Sequence, residues 1–212
     1  YQAISLAWVS DDAFISFRCA QNLINGNGLV YNIGERVEAY TNFLWTILIA
    51  GGMYISLEPM FISKFLGISC FLLTAVSLLY LTYRYRRDNA EKPLLTLPLA
   101  AIAFLIQYDA QSFATSGLET SCTAFLVTAG FISLVLAGSF RIIILSGTLL
   151  TLAAACRPDS LLLYFMALLY LIFRRTGRRE CIIAFLLPFI IIYVPYWIVR
   201  YNYYGFPFPN AY

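Results

Sequence analysis

Residues 60–83, MFISKFLGISCFLLTAVSLLYLTY, carry a single cation, Lys64, and no acid, and Arg84, Arg86 and Arg87 follow at once. A bilayer core is crossed by roughly 20 apolar residues in a helix. This run is long enough, and a Lys near one end can snorkel its charge to the interface. Runs near 119–137 and 181–200 are of the same kind. Shorter runs at 94–107, 141–156 and 159–173 become plausible spans once Ser, Thr, Gln or an end charge is admitted. The punctuation agrees: Pro93, Pro98 and Pro158 stand near helix starts, and Gly138 and Gly177 fall in turns. The pattern predicts an all-α, polytopic membrane bundle of six spans over 60–200. A loop region at 1–59 precedes it, and a loop segment at 201–212 follows.

Composition supports this class. Of 212 residues, 61% are hydrophobic and 12% charged, with mean hydropathy +0.76, against about 45–50% and about 25% in soluble domains. A soluble globular domain and a disordered chain are excluded, and a net charge of +3 is too small for a nucleic-acid binder. The absence of histidine removes Ser-His-Asp and Cys-His nucleophiles and His-ligated metals. Five cysteines stand singly, with no C-x-x-C, and read as small buried hydrophobes. No cofactor or metal is expected. The opening YQAISLAWVSDD reads as the exit from an upstream span, and FPFPNAY as a cut inside a loop.

Charge sets the direction of the spans. The loops around 84–92, 141 and 174–179 hold nine of the fourteen Lys and Arg, the bias of cytoplasmic loops. The opposite face collects Asp11, Asp12, Glu35, Glu38, Glu58, Asp109, Glu119 and Asp159, eight of the eleven acids. The run TNFLWTILIAGGMYIS at 41–56, broken by Gly51-Gly52, fits this arrangement only if it stays on one side. It is read as a juxtamembrane helix in the outer interface, anchored by Trp45 and Tyr54.

Chemistry must then rest on carboxylates, cations, Tyr, Asn or backbone. Ser10-Asp11-Asp12 has two readings: an N-cap with acids complementing a helix dipole, or adjacent carboxylates supplying a general base at a membrane surface. Helical spacing sets Phe14, Arg18 and Gln21 on the face of Asp11, within reach of a shared anionic ligand, and Ile15 and Cys19 on a stripe with Asp12. That helix is expected to stop at Asn25-Gly26. The glycines of NGNGLVYNIGERVEAYTN lack a Lys-Ser/Thr at P-loop spacing and read as a turn-rich loop. Arg157 at an outer span end is either a dipole partner at a helix junction or a phosphate ligand. Lys64 and Arg200 are weaker phosphate candidates, and Glu119 heads a span.

DDAFISFRCAQNLINGNGLVYNIGERVEAYTNFLW (11–45), SGLET (116–120), RPDS (157–160) and NYYGFPFPNAY (202–212) together resemble bacterial GT-C glycosyltransferases that use polyprenyl-phosphate sugar donors. The terminal arabinofuranosyltransferases of mycobacterial cell walls belong to that group. The chain departs from the usual pattern at Ala39 and Asp159, where Gly and Glu are common. The resemblance implies a GT-C bundle with outer-face juxtamembrane helices in the bacterial inner membrane, its active site extracytoplasmic. It implies that Asp11, with Asp12 beside it, deprotonates the acceptor hydroxyl. It implies substrate contacts from Glu38, Tyr40 and Asn210 and, through SGLET, supports one from Glu119; Arg18, Lys64 and Arg157 are substrate-binding candidates by their position and charge. Its partners would be the lipid bilayer, a polyprenyl-phosphate-linked sugar donor, and an extracytoplasmic glycan, lipid or protein acceptor. A transporter or flippase is disfavoured by span centres nearly free of ionisable residues. A non-catalytic subunit of an envelope-assembly complex is the other reading.

Overall fold

The computed structural model describes residues 8–88, 98–173 and 179–207, and among these there are helices and no strand. In chain order they are α1 (Asp11–Ile24), α2 (Phe43–Tyr54), α3 (Pro59–Asp88), α4 (Leu99–Ile106), α5 (Tyr108–Phe113), α6 (Thr120–Val135), α7 (Phe140–Cys156), α8 (Ser160–Phe173), α9 (Arg179–Pro188) and α10 (Val194–Tyr204). Each apolar run of the sequence is helical wherever it is described. Two helical stretches, Pro59–Asp88 and Arg179–Tyr204, are long and apolar enough to cross a membrane. The second is continuous through a π turn at Phe189–Tyr193, where the Val194 N–H bonds the Phe189 carbonyl. Pro188 and Pro195 flank that turn and cannot donate their own backbone bonds, so the wide turn takes up the mismatch without ending the helix. The helices α6, α7 and α8 have 16, 17 and 14 residues, shorter than a spanning helix of roughly 20.

At the centre stands α7, packed against α6, α8 and α9 and touching α2, while α3 packs along α6 and α1 along α2. Two glycines make these approaches possible. A Cβ on Gly147 would strike the Phe185 carbonyl, and one on Gly67 the Ala114 carbonyl, so α9 and the end of α5 rest directly on helix backbone. One apolar cluster joins Phe17, Trp45, Ile49, Leu126 and Cys156; a second joins Leu134, Leu150, Tyr164 and Phe185. The cysteines are free thiols; Cys19, Cys122 and Cys156 are buried, and Cys70 and Cys181 partly so.

One sequence expectation is corrected by this packing. Trp45 is 0% exposed and its Nε1 donates to the Gly117 carbonyl at 2.9 Å. It anchors α2 to the protein rather than to a membrane interface, because the indole N–H finds a carbonyl inside the core. Tyr54, at the other end of α2, is exposed.

Short links between packed neighbours make α6, α7 and α8 run alternately up and down. The starts of α1, α6 and α8 and the end of α7 therefore meet at one end of the bundle, joined by the contacts described next. Arg84 and Arg141 lie toward the other end, with Arg84 ion-paired to Asp88 at 3.7 Å.

Candidate active site

The helix α1 forms because its apolar positions repeat at helical spacing: Ala13, Phe17 and Ala20 are buried. It ends after Ile24, and Gly26 takes φ +80°, the left-handed conformation expected of Asn25-Gly26. Ser10 occupies the N-cap, but its side chain makes no capping bond. Its backbone N–H instead donates to the Ser116 carbonyl at 2.8 Å, tying the start of α1 to the SGLET turn. Gly117 in that turn has φ +83°, and a Cβ there would press on Ala13.

Both aspartates are exposed in the first turn of α1. They diverge by about 100° around the helix. Asp12 stands one turn before Ser16 on the stripe that continues to Cys19, both buried, whereas Asp11 shares its stripe with exposed Phe14 and Arg18.

Ser16 opens a chain of polar contacts through the bundle end. Its Oγ donates to Asn42 Oδ1 at 3.1 Å, and Thr46 Oγ1 donates to the same oxygen at 3.0 Å. With Oδ1 committed as acceptor, the Asn42 amide must present Nδ2 the other way, and it donates to Glu119 Oε2 at 2.8 Å. The other oxygen of Glu119 accepts from Arg157 Nη1 at 3.4 Å. Arg157 also donates from Nε to Asp159 Oδ1 at 3.3 Å and holds Asp159 Oδ2 3.2 Å from Nη2. A guanidinium carries five N–H donors, so these contacts leave a second N–H on each terminal nitrogen. The Arg157 side chain is 42% exposed, while Glu119 is buried. Burial works against its charge, but Asp159 and Glu119 outweigh that and hold its pKa above the ordinary value.

A second cluster involves Glu38 and Tyr40. Glu38 is 2% and Arg200 6% exposed. Arg200 Nε donates to both Glu38 oxygens at 2.9 and 2.8 Å, and its Nη2 lies 2.6 Å from Oε2. Arg200 Nη1 donates to the Pro207 carbonyl at 2.9 Å. Burial pushes the Glu38 carboxyl above the ordinary carboxylate range, against the opposing pull of Arg200. Beside it the Tyr40 and Tyr204 hydroxyls are 3.2 Å apart, and the Tyr204 hydroxyl donates to the Leu29 carbonyl. Burial, and then the neighbouring Tyr204, push the Tyr40 hydroxyl up as well. Arg200 thus lies buried in an ion pair rather than snorkelling to an interface.

Of the residues singled out in sequence, Glu119 and Arg157 belong to one hydrogen-bonded network, Glu38 and Tyr40 to the Arg200 cluster, and Asp12 stands exposed at the start of α1, one turn before Ser16 of that network. Asp11 and Arg18 lie on the outer face of α1. Lys64, half-buried in the second turn of α3, has no ion pair among the described residues, and Asn210 lies outside them. Ser16, Asn42 and Thr46 were not anticipated. Asn42 was legible only as a cap before an apolar run; its partner stands 77 residues away. Among the described residues no group of three or more Cys, Asp or Glu converges in a metal cage.

These observations define the class: an all-helical, strongly apolar chain with two helices long enough to cross a membrane and a hydrogen-bonded charge cluster at one end. The chain resembles the terminal beta-(1->2)-arabinofuranosyltransferases. It is 33% identical over 217 aligned positions to that of Mycobacterium tuberculosis, covering 96% of this chain and 34% of that protein. It is 34% identical over 135 positions to that of Corynebacterium glutamicum, covering 61% of this chain and 18% of that protein. The chain therefore spans about a third of the length of the mycobacterial relative. No family model and no solved structure matches it.

Proposed function

We propose that the chain is the part of a multi-pass membrane glycosyltransferase of GT-C type that carries its catalytic base. The enzyme moves a sugar from a polyprenyl-phosphate donor to an extracytoplasmic glycan, lipid or protein acceptor, at the outer face of a bacterial inner membrane. The observation that supports this best is the meeting, through side-chain and backbone hydrogen bonds, of the first loop with the SGLET and RPDS segments. Asn42 and Glu119 are 77 residues apart in sequence and Glu119 and Arg157 are 38 apart, and all three segments carry the family resemblance.

The chemistry asks for two things. An acceptor hydroxyl must lose its proton, and the departing lipid phosphate must be stabilised. Asp11 is the base in this reading, exposed at the start of α1 and free to meet an acceptor from the open side. Asp12 stands beside it on the stripe leading to the Asn42 network. Arg157 receives the phosphate through its uncommitted N–H groups, with exposed Asp159 the partner that the phosphate displaces. Glu119, fixed by Asn42, holds the guanidinium in place.

The test is sugar transfer by the complete enzyme in nanodiscs. A positioned base contributes about 10²–10⁴-fold. Asp11→Asn is expected to lose transfer by that factor while eluting as a monodisperse, folded protein, and Asp12→Asn to lose less. Transfer at the wild-type rate by Asp11→Asn would remove the base from this reading.

A further inference from the structure

Two cavities flank α1, and they differ in kind. One, about 420 Å³, lies between Leu23, Tyr40, Phe43, Tyr196 and Tyr203, and its cation Arg200 is already paired with Glu38. The other, about 550 Å³, is bounded by the outer face of α1, the loop at Tyr31-Asn32, the end of α2 and the start of α3. Its walls bring Arg18 and Glu58 to one space, and neither has an ion pair among the described residues. Phe14 and Tyr31 line it with rings 51% and 42% exposed. Gln21 and Asn32 supply amides; each already donates one N–H, to Asn25 and Glu35 respectively, so their carbonyl oxygens remain for a ligand.

We propose that this second cavity is the acceptor subsite and that it takes a neutral, polyhydroxylated saccharide. One cation and one anion balance, so the lining selects against a net charge. An Arg fork, a carboxylate and amide oxygens offer both donors and acceptors, as hydroxyl groups require. The exposed rings of Phe14 and Tyr31 cover the C–H faces of sugar rings. The volume is that of a small-ligand site, about 300–1,000 Å³. Position completes the argument. Asp11 is three residues before Phe14 and seven before Arg18 on the same helix face, about 4.5 and 10.5 Å along the axis. A saccharide seated here directs a hydroxyl at Asp11, on the side of α1 away from the stripe that leads to Arg157. The inference rests on the glycosyltransferase reading.

The complete protein in nanodiscs is titrated with a methyl arabinofuranosyl disaccharide, followed by saturation-transfer NMR, and with inorganic pyrophosphate in parallel. Arg18→Met, Glu58→Gln and Phe14→Ala are each expected to weaken disaccharide binding at least tenfold. They should raise the acceptor KM with kcat held within about twofold, while Phe14→Trp retains binding. Arg157→Gln should leave disaccharide binding intact. Disaccharide binding unchanged in both Arg18→Met and Glu58→Gln would overturn the subsite, as would competition by pyrophosphate that depends on Arg18. Disaccharide binding that falls in these variants as expected, when the wild-type protein turns over no donor, would retain the subsite and defeat the glycosyltransferase reading instead.

Discussion

Arg200 and Arg157 are both arginines at a helix end facing a glutamate from a distant part of the chain, and their surroundings make them different devices. Arg200 meets Glu38 with side chains 5% and 3% exposed and contacts of 2.6–2.9 Å, and spends a further N–H on the Pro207 carbonyl. Arg157 is 42% exposed, and its contacts with Glu119 and Asp159 run to 3.2–3.4 Å. The first pair is closed and ties the first loop to the last helix. The second is open and held from behind by an amide whose orientation two hydroxyls dictate. A cation buried to 6% exposure cannot meet a ligand, even with an Nη2 that makes no hydrogen bond beside its ion-pair contact, whereas a positioned, half-exposed one can. The same residue pair can therefore serve architecture at one site and chemistry at the other, and burial is what separates them.

The largest effect expected on this contrast comes from Arg200→Met, which strands Glu38 in a dry pocket. Losing one member of a buried pair costs about 3–5 kcal/mol, to be read by SDS unfolding titration. Replacing both, as in Glu38→Leu with Arg200→Met, should restore most of that loss, because the uncompensated charge is gone. A double variant as unstable as the single one would break the closed-pair description.

Arg157→Gln should do the opposite. Removing one donor that stabilises developing charge costs about 2.7–4 kcal/mol of transition-state stabilisation, a 10²–10³-fold fall in transfer. Unfolding should shift by less than for Arg200→Met, because Asn42 still donates to the buried Glu119 and a Gln at 157 can donate as well. A stability loss equal to that of Arg200→Met would erase the distinction between the two sites.

The smallest effect sharpens the closed site. Burial raises the pKa of Glu38 in the folded protein above its unfolded value. Such a group contributes stability that is fully present below the unfolded pKa, about 4.3, and is lost as pH rises through the folded value. Wild-type Tm should therefore carry a downward component with rising pH from the ordinary carboxylate range upward. Glu38→Gln should lack that component while lying lower throughout, and parallel Tm curves for the two proteins would contradict it.

Much of the fold was legible before any coordinates, because helix-forming apolar runs announce themselves locally. The α1 stop at Asn25-Gly26 and the helix at 43–54 follow from residues within a few positions of each other. The site was legible only in pieces. Asp11, Asp12, Glu119 and Arg157 stand out by type and by place at helix ends. Nothing local says that Asn42 links two of these segments, or that Trp45 turns inward to the Gly117 carbonyl. Glu38 is the clearest case: the family resemblance alone implies a substrate contact there, and its partner is 162 residues away.

The sequence alone thus determines a helical, apolar chain whose cations and carboxylates gather mostly in different loops, since hydropathy and charge count are sums over neighbours. Only the tertiary structure decides which charges are committed. Whether an arginine is closed off or open depends on burial and on partners far along the chain, and those arise when the helices pack.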